Sequence, residues 1–467
     1  MTPDTWRMGY HLMPPTGWLN DPNGLCQFRG TYHFFHQWSP EWPTPHARRG
    51  WGHYSSDDLV HWTHHGMVLD QDTPEDANGA YSGGAIVIPG AAADGGDLLR
   101  LYYTGNVKHP GDFDYIYEGR GANEILVESA DGFELGPKET LLTNADYPDY
   151  CSCHVRDPKV WLEDGAYHML LGARTREDLG MMLVYRSADG RAWELKGTVR
   201  SNEPVGYMWE CPDRIVLDGH EYVGCCPQGV ADFAWSDGVD DHSGYFPVPA
   251  GSRVADGDAV VAAADFARWD HGFEFYAPQS FVDESGRTIL VGWVGMPEAT
   301  WAGQPESLDW IHCLTVPRVL SRSADGRIAQ WPVAELEGLR GDAVDLAGGE
   351  ATFPEHRADL VVEGIDGDFR VTLDDALEVR GDAEGCEIRF TDEAVACGRT
   401  SRRIDLEAVS DLRVLVDSSV VEVFANGGRM VFSTRWFPTD EKLSVAVGGA
   451  CATALAYPMT DVMAGLY

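Results

Sequence analysis

Positive charge is scarce in this chain. Lys and Arg number 35 against 74 Asp and Glu, a formal net charge of −39 over 467 residues. A surface so acidic repels phosphate backbones and anionic lipid, which argues against a nucleic-acid partner and against a role on a membrane. Long apolar runs are lacking too. The longest weakly polar stretch, Val445 to Tyr457, is 13 residues and includes glycines and a threonine, too short to span a bilayer. The N-terminal MTPDTWRMGYHLMPP has no basic region followed by an apolar one, so no secretory leader is read there. The ten cysteines lie scattered in apolar, strand-like runs and lack the spacing of a disulfide framework, so a reduced, cytoplasmic protein is expected. Helical periodicity is scarce as well.

What is present is a β pattern. The chain is 44% hydrophobic and 11% aromatic, with 52 glycines and 26 prolines. Short runs of Val, Ile, Tyr, Phe and Trp alternate with Gly, Asp, Asn and Pro clusters, which predicts an all-β protein. One unit recurs: a turn residue, then an aromatic and aliphatic strand. It begins at Gly30, Asp97, Gly165, Gly219 and Gly286, at intervals of 67, 68, 54 and 67 residues. Before each lies a shorter strand that opens with a turn: Asp21-Pro22-Asn23-Gly24, Ser82-Gly83-Gly84, Asp157-Pro158-Lys159, Cys211-Pro212-Asp213 and Ala277-Pro278-Gln279. Five matched units predict a five-bladed β-propeller over residues 1–322, in which the five openings surround one mouth.

Beyond Ser323 the texture changes. Arg327 to Leu339 has apolar residues at helical spacing, and residues 323–342 read as a helical linker. From 343 to 467 the chain alternates in period 2, as in Asp368-FRVTL, Leu412-RVLVD and Val420-VEVFANGG. Asn426-Gly427 is a hairpin turn. Seven or so short strands predict a β-sandwich with no cluster of titratable residues that reads as a site, whose expected role is packing against the propeller.

Three openings of the first region carry an acid: Asp21, Asp157 and Glu210. Alone, Asp-Pro-Asn-Gly is a favourable turn and an Arg-Asp pair an ordinary ion pair. Three acids at matched repeat positions are different, because they should meet. Clustered carboxylates are driven to different protonation states, as acid/base work on a glycosidic bond requires. Glu210, flanked by the weakly polar Trp209 and Cys211, reads as the general acid. Asp21, beside the amides of Asn20 and of the turn after it, reads as the nucleophile. Asp157 adjoins Arg156, which should keep it charged. Trp18, Trp38, Trp42, Trp51, Tyr81, Trp209, Tyr276 and Trp293 crowd the same openings, as in a carbohydrate pocket.

The runs Gly17-WLNDPNG, Tyr32-HFFHQ, Trp51-GHYSSDDLVHW, Tyr81-SGG, Arg156-DP, Glu210-CPD and Phe275-YAPQ, with Val414-LVDSSVVEVFANGG near the C-terminus, resemble glycoside hydrolase family 32 over nearly the whole chain. That family contains β-fructofuranosidases, sucrose-6-phosphate hydrolases and exo-fructanases. The resemblance implies a five-bladed propeller with a C-terminal β-sandwich and a retaining double displacement on a β-fructofuranosyl bond. It implies Asp21 as nucleophile, Glu210 as acid/base and Asp157 as transition-state stabiliser. Asn20, Gln37, Ser82 and Arg156 would bind fructose, and Trp42, Tyr81 and Trp293 would wall the pocket. Glu274 departs from the pattern, which has Asp before Phe-Tyr-Ala. The stretch between Gln37 and Trp51 is longer than the pattern and carries His46, Arg48 and Arg49. For a phosphorylated substrate Arg48, Arg49 and Arg174 are the candidate cations.

The expected substrate is therefore a small sugar: sucrose, its 6-phosphate or short fructo-oligosaccharides. A fructan exo-hydrolase or fructosyltransferase on the same site, an inverting hydrolase of another pentose polymer, and an inactive glycan-binding propeller are the alternatives. No cofactor is expected. His61-Trp62-Thr63-His64-His65 and Cys151-Ser152-Cys153-His154 lack partner ligands at zinc spacing, so no metal is expected either. Oligomeric state is not readable.

Overall fold

A computed structural model of the protein describes residues 3–44, 47–230, 233–236, 239–297, 304–305, 308–347 and 349–466. His46 lies outside the described residues. All five recurring runs are strands, Thr31–Ser39, Leu98–Lys108, Ala166–Thr175, His220–Gln228 and Thr288–Val294. Each is the second strand of an antiparallel sheet, and the five sheets follow one another in chain order. Aliphatic and aromatic residues fill both faces of these strands because each sheet is covered by its neighbours on both sides.

The strand before each recurring run is innermost: Gly17–Phe28, Ala80–Ile88, Cys151–Glu163, Met208–Leu217 and Tyr276–Val282. These five touch one another in cyclic order, the last against the first, around a propeller axis. The ring is also latched by backbone hydrogen bonds from further along the chain. Trp310–Ile311, which follows the second strand of the fifth sheet, pairs in parallel with Gly17 and Trp18 of the first. The N–H of Gly17 donates to Asp309 O at 2.7 Å beside it.

The stretch 327–339 is only half helical. Ile328–Pro332 is a strand paired with Arg318–Arg322, so the fifth sheet runs ten residues past the expected boundary at 322; Ala334–Leu339 alone is a 3-10 helix. Ile328, Ala329, Gln330 and Pro332 are all buried, between the sheet and the C-terminal region. Burial on both faces abolishes period-2 alternation, and what remains imitates helical spacing.

The C-terminal region is a sandwich of two six-stranded sheets rather than seven or so strands. The hairpin Val420–Ala425 to Met430–Arg435 turns through Asn426 and Gly427, both left-handed at φ 52° and 61°. A side chain on Gly428, also left-handed, would strike Gln330 O at 1.7 Å, so this turn seats directly on the last propeller strand.

Buried charges join the two parts. Arg318 of the fifth sheet reaches Glu422 Oε2 (2.5 Å), Ser433 Oγ (2.7 Å), Gln330 Oε1 (3.0 Å) and Asp270 Oδ2 (3.3 Å). Glu422 Oε1 faces His11 Nε2 at 2.8 Å, and His11 Nδ1 faces Asp417 Oδ2 at 2.8 Å. The carboxylate of Asp417 also accepts the N–H groups of Gly9, Tyr10 and His11. Removing one partner from such a network strands a buried charge and costs about 3–5 kcal/mol.

Burial opposes a charge on His11, but its two carboxylate partners outweigh that and raise it to about 9. A folded value above the unfolded one stabilises fully below the unfolded value, and that stabilisation is lost as pH rises through about 9. Urea unfolding should therefore show a loss of roughly 3 kcal/mol between pH 6.5 and 9. A His11→Gln variant should lack this component.

Candidate active site

Near the axis mouth each innermost strand carries one extra residue relative to its partner strand, and Gly17–Phe28 and Cys151–Glu163 slip again, between Asn23 and Cys26 and between Val155 and Cys151. The register slips between Leu19 and Pro22, Ala80 and Gly83, Arg156 and Lys159, Glu210 and Asp213, and Tyr276 and Gln279. The expected turns before the strands are therefore bulges inside them. In a regular strand neighbouring side chains face opposite sides; a bulge re-aims them. Asp157, Cys211 and Ala277 take left-handed φ values of 65°, 48° and 46° at the bulge. Proline follows in four of the five, at Pro22, Pro158, Pro212 and Pro278. A bulge leaves the ladder locally unpaired, so the missing N–H of Pro is tolerated there.

The result is two stacked rings of side chains at one end of the axis: Asn20, Tyr81, Arg156, Glu210 and Tyr276, then Asp21, Ser82, Asp157, Cys211 and Ala277. All but Ala277 line a single cavity of about 520 Å³, a volume suited to a small molecule. Gln37, Trp42 and Trp293 line it too, so all ten candidate residues meet in one place. Trp18 packs against Trp42 and Trp293 with ring centres 5.7 and 6.2 Å away, and His312 wedges behind Trp18 and Trp293.

The three carboxylates are held differently. Asp21 accepts from Asn20 Nδ2 (3.0 Å), Ser82 Oγ (2.5 Å) and the Cys211 thiol (3.8 Å). Burial raises its pKa, Glu210 adds to the effect, and these donors oppose it; the outcome is about 6. Asn23 does not take part in holding Asp21, because its side-chain oxygen accepts the N–H of Gly83. Asp157 accepts the N–H of Cys211 at 2.9 Å and gives its own N–H to Thr104 Oγ1 at 2.9 Å. Glu210 is clamped on both oxygens, by Arg156 Nη2 at 2.6 Å and Tyr276 OH at 3.0 Å.

Two of these findings revise the reading from sequence. Arg156 bonds to Glu210, with Asp157 only at 3.8 Å; burial outweighs Arg156 and raises Asp157 to about 7. Trp209 does not shelter the Glu210 carboxyl. Strand alternation sends it to the opposite face, fully buried and stacked on Phe246, while the Cys211 thiol turns to Asp21.

Arg49 lines the cavity, whereas Arg48 is paired with Glu41 and Asp70, and Arg174 with Asp178. Glu274 faces away, bonding Arg399 Nε (2.6 Å) and the N–H of Arg435 across the junction with the sandwich. Among the lining residues that escaped the sequence reading are Arg120, His154 as a pocket residue, and Gln228. Gln228 pairs with Met208, two positions before the fourth bulge, and carries no matched signal in the other sheets. Arg120 lies far from any repeat signature, on the third strand of the second sheet.

Carboxylates held in unlike environments beneath aromatic walls, at the mouth of a propeller, define a sugar-cleaving hydrolase. The comparisons with known proteins agree. The Glycosyl hydrolases family 32 N-terminal domain model matches residues 11–332, and the family 32 C-terminal model matches 378–457. The chain belongs to glycosyl hydrolase family 32. It is 37% identical over 443 residues to a sucrose-6-phosphate hydrolase of Salmonella typhimurium, covering 92% of this chain and 88% of that one. The solved sucrose-6-phosphate hydrolase of Lactobacillus gasseri superposes with a TM-score of 0.85 at 28% identity, over 98% of this chain and 94% of that one. A Bombyx mori family 32 beta-fructofuranosidase solved with sucrose gives 0.79 at 26% identity, over 98% and 95%.

The raised carboxyls make the site costly to the fold. A folded Asp157 near 7 keeps its proton where the unfolded chain has released it, so stability falls as pH rises from about 4 to about 7. Above that the penalty is constant. Asp157→Asn should therefore melt higher than the wild type at pH 8 and equal to it at pH 4, as read by calorimetry.

Proposed function

We propose that the protein hydrolyses the terminal β-fructofuranosyl bond of sucrose or of sucrose carrying a 6-phosphate, by double displacement, with the five sheets acting as five blades around the site. The observation that carries this reading is the placement of Asp21, Asp157 and Glu210 in one cavity, each with its own set of donors. Asp21 is the nucleophile: Asn20 fixes one oxygen and Ser82 the other, leaving the carboxylate oriented for attack on the anomeric carbon. Glu210 gives a proton to the leaving oxygen and later takes one from water, its orientation set by Arg156 and Tyr276. Asp157 faces the charge that develops on the fructosyl ring. Gln37, Trp42, Tyr81 and Trp293 complete the fructose and leaving-group walls.

The expected loss is about a thousandfold in kcat for Asp21→Asn and for Glu210→Gln, with neither variant melting below the wild type. Activity of the free enzyme should fall from about pH 7 downward, as Asp157 and then Asp21 gain their protons. Ser82→Ala, which removes a donor to the Asp21 carboxylate, should move that acid limb of kcat/KM upward. Wild-type turnover in either acid variant sinks the assignment.

The phosphate half of the proposal rests on two arginines. Arg49 and Arg120 both line the cavity with Tyr81, and neither meets a carboxylate among the described residues of a strongly acidic chain. Arg120 has neutral partners only, Asn106, Tyr81 and His154. His154 sits between Arg120 (2.7 Å) and Arg156 (2.9 Å), and burial with these two cations lowers it to about 2. A neutral imidazole has one accepting nitrogen, so one of the two guanidiniums faces an N–H. An oxyanion at this edge would supply the missing acceptor. Arg49→Gln and Arg120→Gln should each reduce kcat/KM for the 6-phosphate about tenfold or more relative to sucrose. Equal effects on both sugars would leave the unphosphorylated one as the substrate. Ten free thiols and the absence, among the described residues, of a helix able to cross a membrane support the cytoplasm as the place of this reaction.

A further inference from the structure

We propose that Glu124 is a protonated, uncharged positioning residue that fixes Asp157 through the hydroxyl of Thr104. Asp157 holds a left-handed backbone, φ 65°, which a residue with a side chain adopts only when its surroundings impose it. Its N–H ends on Thr104 Oγ1 at 2.9 Å. Because that oxygen accepts from Asp157, the hydroxyl proton of Thr104 is free to point the other way, at Glu124, whose two oxygens both lie 3.1 Å away.

Glu124 is wholly buried on the third strand of the second sheet and meets no cation among the described residues. Its remaining partner is Tyr147, whose hydroxyl lies 3.2 Å from Glu124 Oε1 and 3.1 Å from Ala122 O. The proton count selects one state. With Glu124 ionised, the single proton of Tyr147 faces two acceptors and leaves one unmet. With Glu124 protonated, the acid donates to the Tyr147 oxygen, Tyr147 donates to Ala122 O, and Thr104 donates to the other carboxyl oxygen. Every contact is then used. An ionised Glu124 would also be an unpaired buried charge facing Asp157, with only Tyr147 and Tyr185 as further titratable neighbours. Burial accordingly holds its pKa well above the ordinary range. The device thus anchors a catalytic carboxylate without adding a negative charge behind it, whichever sugar the cavity takes.

The kinetic arm rests on Asp157 acting in turnover as proposed; a spectroscopic arm does not. Glutamine reproduces a protonated acid here, accepting from Thr104 and donating to Tyr147. Glu124→Gln should therefore keep kcat within about threefold and leave the pH profile in place. Glu124→Leu and Thr104→Val should lose about tenfold or more in kcat with KM little changed. In the infrared, wild type minus Glu124→Gln should show a protonated-carboxyl C=O stretch at neutral pH. Absence of that band overturns the proposal outright. So does a Glu124→Gln variant as impaired as Glu124→Leu, or wild-type kcat in both Glu124→Leu and Thr104→Val. Should Glu124→Leu not fold, Thr104→Val and the infrared band decide. If Asp157→Asn itself retains full activity, the proposed function fails while the band still reports on Glu124.

Discussion

One surplus residue at the mouth end of each innermost strand is the constraint on which the candidate site depends. Without it, strand alternation would turn one member of each pair, Asn20 or Asp21, Arg156 or Asp157, Glu210 or Cys211, into the wall between sheets. With it, adjacent residues face the same space, and five strands deliver two layers of chemistry. The ladder hydrogen bonds given up at each slip are partly replaced across the axis. Asp157 takes the N–H of Cys211, Asn23 takes that of Gly83, and Asp213 takes that of Ser280. The polar groups that close the funnel floor are thus the same ones that keep the bulges from collapsing into regular strand.

Charge in the funnel is organised around Arg156. Three acids share one space with this guanidinium, which lies against Glu210 and within reach of Asp157, while Asp21 is served only by neutral donors. Under the proposed mechanism, that asymmetry lets chemically similar side chains take dissimilar parts in one reaction. It also leaves the carboxyls of Asp21 and Asp157 weaker acids than exposed ones, a strain on the folded state that only the reaction justifies.

The positions of the site were legible in the sequence because bulge chemistry is legible: an acid or small residue before Pro, repeated at blade intervals, cannot be a run of unrelated turns. The interactions were not, since adjacency along the chain misled. Arg156 and Asp157 are neighbours in sequence, yet the guanidinium is bonded 54 residues away to Glu210. Trp209 adjoins Glu210 and lies on its far side. Ile328–Pro332 passed for helix because both its faces are covered, and the sandwich hid several strands, such as Glu350–Phe353 and Ser401–Asp405, that are short and rich in polar residues. Arg120 and His154 belong to no repeated phrase, and only the closing of the ring brings them to the cavity.

The latch at Trp310–Ile311 has a temporal side. On a growing polypeptide the first sheet is made early, yet its edge partner emerges from the ribosome only some three hundred residues later, and the Asp417 that ties down Gly9, Tyr10 and His11 later still. Contacts so remote in sequence form slowly. The nascent first sheet must therefore wait with an open flank, and its aromatic-rich strands are exposed to chaperones and to mispairing until nearly the entire chain has been translated.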